Sequence, residues 1–437
     1  MRFTDFQEIL EKKEPIGKSV IKKLQNNEWD DNFIRNLDDY VPTLSYLGHE
    51  DFVIEKVENL INSSEFISQG LYSRDLNNIF VSWKNDEWLG GLIYLDENSS
   101  SEKISNALDT FLESFSKAFL KNDRICSFSF YINGKWYPYP SFSPRCGVII
   151  EELTKLEKND QIPNWEILLK KAFENEYFED KGIFPNETFF GNLSFFRELC
   201  NTFQISVPGY YIKKMAPGRK IYKPAKANSS LLHALITGCR ISNSSFLLSK
   251  LDEFLEGIEK NFIGQDGFVE DPSSGTGDGK YRLSINHPVI DIYCDAYYFV
   301  QENSNWLDTS EIIANTWKKA RLPTNLFPKS PEKDFSWLDD QIDIAISFGR
   351  LYELTDKKEY LDIAIETIKS VFDRHYSQTK KGLVERVDSN GKVIDSLVHP
   401  KYNALAIKAF IFLEEIVQGS KKIYSEDSKV HELLKDR

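Results

Sequence analysis

Residues 267–270 read Gly-Phe-Val-Glu, and residues 382–385 read Gly-Leu-Val-Glu. Each is followed by a polar stretch containing glycine, and then by a His-Pro pair, His287-Pro288 or His399-Pro400, that opens an apolar run. The two glycines stand 115 residues apart and the two histidines 112. A match this long at a nearly constant offset marks a chain built from repeated supersecondary units.

Outward from these copies the apolar positions keep helical spacing. Helices are expected at 227–240, 246–262, 287–302, 309–320, 337–354, 358–375, 400–417 and 427–435, which fall into four pairs. The turns within pairs are short, as antiparallel neighbours require. Asp308-Thr-Ser-Glu311 and Asp356-Lys-Lys-Glu359 read as capping boxes with aspartate at the N-cap. Between pairs come β-hairpins, announced by the Asn-Gly turns Asn133-Gly134 and Asn390-Gly391. The segment from Gly267 to Leu283 looks like a longer relative of these hairpins. Upstream, helices are expected at 16–26, 50–62, 102–121, 164–175 and 191–204, while 79–84 and 88–95 are ambiguous between strand and buried helix.

One unit takes roughly 50–65 residues, so six fit inside the chain. The expected fold is mainly α: an (α/α)6 barrel, or toroid, of helical hairpins with β-hairpin loops between some of them. An open α-solenoid is the alternative. We expect one such domain over 1–437, less regular and partly β at 1–150 and clearest in its repeats at 225–437.

Composition narrows the partners. Hydrophobic residues make up 41% of the chain, enough for a large core. The net charge of −13 argues against binding along a phosphate backbone. The local exception is the basic run from Lys213 to Lys226, whose plainest reading is a solvated loop. Cys126, Cys146, Cys200, Cys239 and Cys294 are odd in number and form no C-x-x-C, which fits reduced, buried thiols. No apolar leader or spanning segment is evident, so a cytoplasmic location without membrane contact is expected. Oligomeric state is left open.

The densest chemistry lies in Ser336-Trp337-Leu338-Asp339-Asp340-Gln341-Ile342-Asp343. Three carboxylates open one helix. Asp339 and Asp343 share a face, and Asp340 neighbours Asp343. Clustered carboxylates raise one another's pKa, which suits an acid/base pair. Asp339 also stands three residues after Ser336, a capping arrangement that gives it a purely local role as an alternative.

The run Trp-Leu-Asp-Asp-Gln-x-Asp, followed by Leu351-Tyr-Glu-Leu-Thr-Asp356 and by Tyr360-Leu-x-x-Ala364, resembles a helix crossing of the six-hairpin glycosidase superfamily. The resemblance covers about residues 225–420. Bacterial α-mannanases within that superfamily carry adjacent aspartates there, one nucleophile and one acid/base, and Asp339 and Asp340 are the matching positions. The resemblance implies a carbohydrate-active enzyme, with a glycoside hydrolase as the first expectation. Carboxyl separation would then decide retention or inversion.

The same fold implies a second chemistry. N-acylglucosamine 2-epimerases use paired histidines for proton abstraction, and His287 and His399 are the candidates here. Each histidine has a local alternative as an N-terminal helix residue making a hydrogen bond. Glu270 and Glu385 accompany them, and Trp337, Tyr402 and Asn403 complete the candidate substrate-binding set, the aromatic rings as sugar platforms or as core. A non-catalytic toroid, scaffold or glycan-binding, is the third reading. Asp339-Asp340-Gln-Ile-Asp343 also spells the D-D-x-x-D of class I terpene synthases, but the partner motif of that magnesium site is missing. The glycine-rich 271–279 segment lacks the Lys-Ser/Thr of a P-loop and reads as a rim loop. No metal or cofactor is expected.

Overall fold

Two kinds of helix alternate along this chain, and burial tells them apart. One kind is buried nearly all round, and the other carries a single apolar stripe. The computed structural model describes residues 11, 13–73, 79–156, 164–185, 188–189, 225–242, 244–270 and 281–418. The expected helices at 191–204 and 427–435, the basic run up to Lys223 and the 271–279 segment lie outside the described residues.

In chain order the helices are α1 Lys13–Leu24, α2 Asp30–Ile34, α3 Leu37–Tyr46, α4 Glu50–Ser63, α5 Asp86–Asn98, α6 Glu102–Phe119, α7 Gly147–Thr154 and α8 Trp165–Glu176. They continue with α9 Ala225–Ile241, α10 Ser245–Phe262, α11 Leu283–Phe299, α12 Ser304–Lys319, α13 Leu338–Thr355, α14 Lys358–His375 and α15 Pro400–Gln418. The chain forms two compact units, one from the described residues of 1–33, 39–50 and 262–437, the other from those of 34–38 and 51–261.

In the first unit α11 pairs with α12 and α13 with α14, while α13 packs between α11 and α15, and α15 also packs on α1. Helix α13 buries Leu338, Asp340, Gln341, Ile342 and the whole run from Ile344 to Leu351, as an inner helix must. Its neighbour α12 buries Trp306, Thr309, Ser310, Ile313, Ala314 and Trp317, one stripe at three- and four-residue spacing. In the second unit α5 pairs with α6, and α7 packs on α9. That last contact needs Gly147, because a Cβ there would come within 2.3 Å of the Ser230 carbonyl.

Both Asn-Gly hairpins form. Phe128–Ile132 pairs with Lys135–Tyr139, and Arg386–Asp388 pairs with Val393–Asp395 and also with Phe335–Trp337. The 88–95 segment is helix, within α5, and Ile79–Val81 is strand. Helices α2, α3 and α7 were not foreseen. Pro42 inside α3 disguises that one as a break.

Both expected capping boxes fail. Helix α12 starts at Ser304 behind Asn303, whose side chain accepts from Asn305 N–H, so Asp308 lies inside the helix. Asp356 instead closes α13 in the left-handed conformation, with φ 54°. Helix α11 begins at Leu283, so His287 is not at its head and Pro288 lies within it. Cys126, Cys146, Cys239 and Cys294 are buried thiols outside any disulfide. Among the described residues no helix is long and apolar enough to cross a membrane.

Candidate active site

A repeated side-chain clamp places the chemistry. Asn228, Gln341, Asn286 and Asn403 are each the fourth residue of a buried helix. Each side-chain amide grips both backbone groups of one buried residue in the preceding loop. Asn286 accepts from Val269 N–H at 2.7 Å and donates to its carbonyl at 3.0 Å. Gln341 holds Phe327 at 2.7 and 2.9 Å. Asn403 holds Leu383 at 2.7 and 3.0 Å. In the second unit Asn228 does the same to Phe184, and Asn85, just before α5, does it to Tyr72. Asn286, Gln341 and Asn403 also donate to the carbonyl four residues earlier, at the head of their own helix. The N–H and carbonyl of one buried loop residue are thereby satisfied by one side chain.

The clamp sets the true register of the repeat. Lys329 and Glu385 each stand two residues beyond a clamped residue, and they meet the same ring. Lys329 Nζ lies 3.9 Å from the Trp337 ring centroid, while Trp337 Nε1 donates to Glu385 Oε1 at 2.7 Å. Glu270 stands only one residue beyond clamped Val269, so it is not the equivalent of Glu385. Likewise His287 follows its clamp residue by one position, whereas His399 precedes its own by four. The shared His-Pro letters therefore join positions that differ in the fold. Asn403, expected to bind substrate, has its amide fully engaged as a clamp and is wholly buried.

Helix α13 then delivers three aspartates to three environments. Its N-cap is Trp337, with no side-chain cap. Ser336 Oγ instead lies 3.4 Å from His375 Nε2, so the Ser-x-x-Asp cap does not form and does not account for Asp339. Asp340 is 1% exposed, and its Oδ2 sits 3.1 Å from the equally buried Lys329 Nζ. Burial and the adjacent Asp339 push the Asp340 carboxyl up to about 8, against the pull of Lys329. Asp343 faces α11, with Oδ2 3.4 Å from His287 Nε2.

Asp339 lies between these environments, half-buried. Burial pushes its carboxyl above the usual range, and Asp343 adds to this, while Lys329 and Lys401 oppose it. Its Oδ1 is sealed from solvent without a hydrogen-bond partner. Glu385 is also raised, mainly by burial, with Asp339 among the charges acting on it. The Tyr402 hydroxyl is pushed up by burial and then by Asp339 and Glu385. The His399 ring stacks on Tyr402 at 4.5 Å and meets the edge of Trp29 at 5.2 Å.

Asp339, Asp340, Asp343, His287, Trp337, Glu385, His399 and Tyr402 thus form one connected cluster, with Lys329 and Trp29 as members that the sequence did not single out. No motif marks Lys329. The recurrence of Asn or Gln at the fourth helical position is the signal that leads to it.

No protein-family model and no curated protein matches the sequence, so the likeness to known proteins is one of structure. An α-1,2-mannosidase from Trichoderma reesei is similar at a TM-score of 0.60 and 12% identity, over 87% of this chain and 84% of that one. A cellobiose 2-epimerase from Bacillus thermoamylovorans is similar at 0.55 and 13%, over 83% of this chain and 100% of the other. A D-mannose isomerase is similar at 0.54 and 9%, over 82% and 95%. These are carbohydrate-active enzymes, and at such identities the likeness speaks for the fold. The chain has the (α/α)6 toroid fold shared by these enzymes, the fold of the six-hairpin glycosidase superfamily that its sequence resembles.

Proposed function

We propose that this chain is a carbohydrate-active enzyme that works by proton transfer, with sugar isomerisation or epimerisation as the reading its geometry supports best. The observation that carries it is the His287–Asp343 pair, 3.4 Å apart, beside the half-buried Asp339. A histidine oriented by a carboxylate is a common general base near neutral pH. A carboxyl raised by burial is a general acid.

In this reading His287 removes the proton from the carbon next to the sugar carbonyl, and Asp339 protonates the carbonyl oxygen. The resulting enediol takes a proton on the opposite face of the same carbon, which epimerises it, or on the neighbouring carbon, which isomerises the sugar. In either case an enediol hydroxyl returns its proton to Asp339 as the carbonyl reforms. Asp343 holds the imidazole. His399 and Tyr402 offer the aromatic wall. Two of the structural neighbours, the cellobiose 2-epimerase and the D-mannose isomerase, carry out reactions of these classes.

Hydrolysis is the second reading, and one observation favours it. Asp339 and Glu385 are both raised by burial, and the charge of Asp339 acts on Glu385. That pair would replace the adjacent Asp339–Asp340 pair, because Asp340 is sealed against Lys329.

Incubation of free aldoses and short glycans in D2O separates the two. Deuterium at the carbon beside the carbonyl, without new reducing ends, is the expected outcome. His287→Asn should lower turnover by about 10²–10⁴-fold. New reducing ends without deuterium uptake would overturn the isomerase reading in favour of hydrolysis.

A further inference from the structure

Helix α1 turns Lys18, Ser19 and Lys22 toward the tip of the 376–383 hairpin, which carries Thr379, Lys380 and Lys381. Between them is a cleft of about 560 Å³, in the range of small-molecule sites. The acid in its lining, Glu14, is paired with Lys18 at 3.0 Å. Among the described residues no carboxylate stands within ion-pair distance of Lys22, Lys23, Lys380 or Lys381. Lys23 is not in the lining of the cleft but lies within the field of Lys380. Burial lowers its pKa, and the nearby Lys380 lowers it further. Lys380 is held in place by Ser396, whose carbonyl and hydroxyl both accept from its Nζ.

Ammonium groups gathered this way repel one another, and a chain of net charge −13 has acids enough to neutralise them elsewhere on its surface. The cluster also leads into the site described above. Lys23 Nζ lies 5.4 Å over the Trp29 ring. Trp29 meets His399 at 5.2 Å, and His399 stacks on Tyr402. Lys23, near Lys380 of the cleft, is therefore joined to the catalytic cluster through two consecutive ring contacts.

Building on the sugar-active reading, we propose that the lysine cleft is the anion-binding end of the same site, taking the phosphate ester or carboxylate of a charged sugar. Lys22, Lys23 and Lys380 supply the positive charge, and Trp29 and His399 guide the sugar ring toward Asp339. The shared chemistry is an anionic substituent on the sugar.

The test is binding rather than turnover, so it stands apart from the test of the reaction. Glucose 6-phosphate, glucuronate and glucose are titrated calorimetrically against the full chain, with tryptophan emission as a second readout through Trp29. At least one charged sugar should bind about tenfold or more tightly than glucose, equivalent to about 1.4 kcal/mol. A response to glucose 6-phosphate alone assigns a phosphate ester, and to glucuronate alone a carboxylate. Lys23→Ala/Lys380→Ala should erase the preference. Since Lys380 also ties the hairpin to Ser396, Lys22→Gln/Lys23→Gln on the helix serves as a second variant that leaves the hairpin intact. His287→Asn should keep the preference. Equal affinity for glucose and the charged sugars, or charged-sugar binding that survives both lysine variants, would overturn the proposal.

Discussion

At the residue scale, neighbours in sequence have opposite fates. Asp339 and Asp340 are adjacent, yet a helix turns successive side chains by about 100°. Asp339 is left half-buried beside Tyr402 and Glu385, and Asp340 is driven into the packing against Lys329. Asp339→Asn should therefore abolish most turnover, while Asp340→Asn should change kcat far less. Steady-state kinetics on the two variants decide it, and an Asp340→Asn enzyme as inactive as Asp339→Asn would place Asp340 among the reacting groups. Lys329→Met removes the partner of a carboxyl already raised to about 8, so near pH 7 Asp340 stays protonated and the cost should be about 1–3 kcal/mol, that of a buried polar group left without its partner. Adding Asp340→Leu to it should recover part of that loss in urea unfolding, because both polar partners are then gone. The sequence showed that three carboxylates cluster. It did not show which is sealed, because the sealing group, Lys329, arrives from a loop with no motif of its own.

At the element scale, the clamp explains how hairpin loops without long strands are held. Each clamp replaces a stretch of sheet by one amide that both accepts and donates. Asn286→Ala would leave the buried N–H and carbonyl of Val269 without those bonds. The expected cost is about 2–4 kcal/mol, from one or two orphaned backbone groups. Asn286→Asp should be nearly as damaging, since a carboxylate accepts but does not donate. Thermal unfolding monitored by circular dichroism checks both, and a loss below about 0.5 kcal/mol, the size of a neutral surface change, would show the clamp to be incidental. The helices themselves were legible from periodicity. Helix α14 matches its expected bounds, 358–375, at both ends. The repeat was legible too, but aligned on the wrong letters. Gly-x-Val-Glu and His-Pro match by sequence, whereas Val269 with Asn286 and Leu383 with Asn403 match by structure.

At the scale of the whole molecule, stability has a pH dependence carried by His375. It is completely buried, with Nδ1 2.8 Å from the Val384 carbonyl and Nε2 facing Ser336. Burial lowers its pKa from 6.5 to about 4. Between those values the unfolded chain binds a proton that the folded one does not. The His375 contribution to stability should therefore fall as pH drops from 6.5 to about 4, by about 3 kcal/mol in all. Asp340 acts in the opposite sense: its folded pKa is raised from 3.8 to about 8, so its contribution is lost as pH rises through that window. The His375 share is thus read as the difference between wild type and His375→Gln across the acid range. Parallel pH profiles for the two proteins would remove His375 as the cause.

The sequence by itself determined a chain of helical hairpins, with the (α/α)6 barrel expected and an open solenoid as the alternative, because apolar periodicity and Asn-Gly turns are local signals that tertiary contacts here did not override. It also determined that acids gather at the head of one helix. Only the tertiary structure decided that His287 pairs with Asp343, that Lys329 takes Asp340, and that Asn403 belongs to the framework. The reason is physical. Burial, ion pairing and the register between a loop and the helix that clamps it join residues tens of positions apart, and nothing in local spacing encodes those meetings.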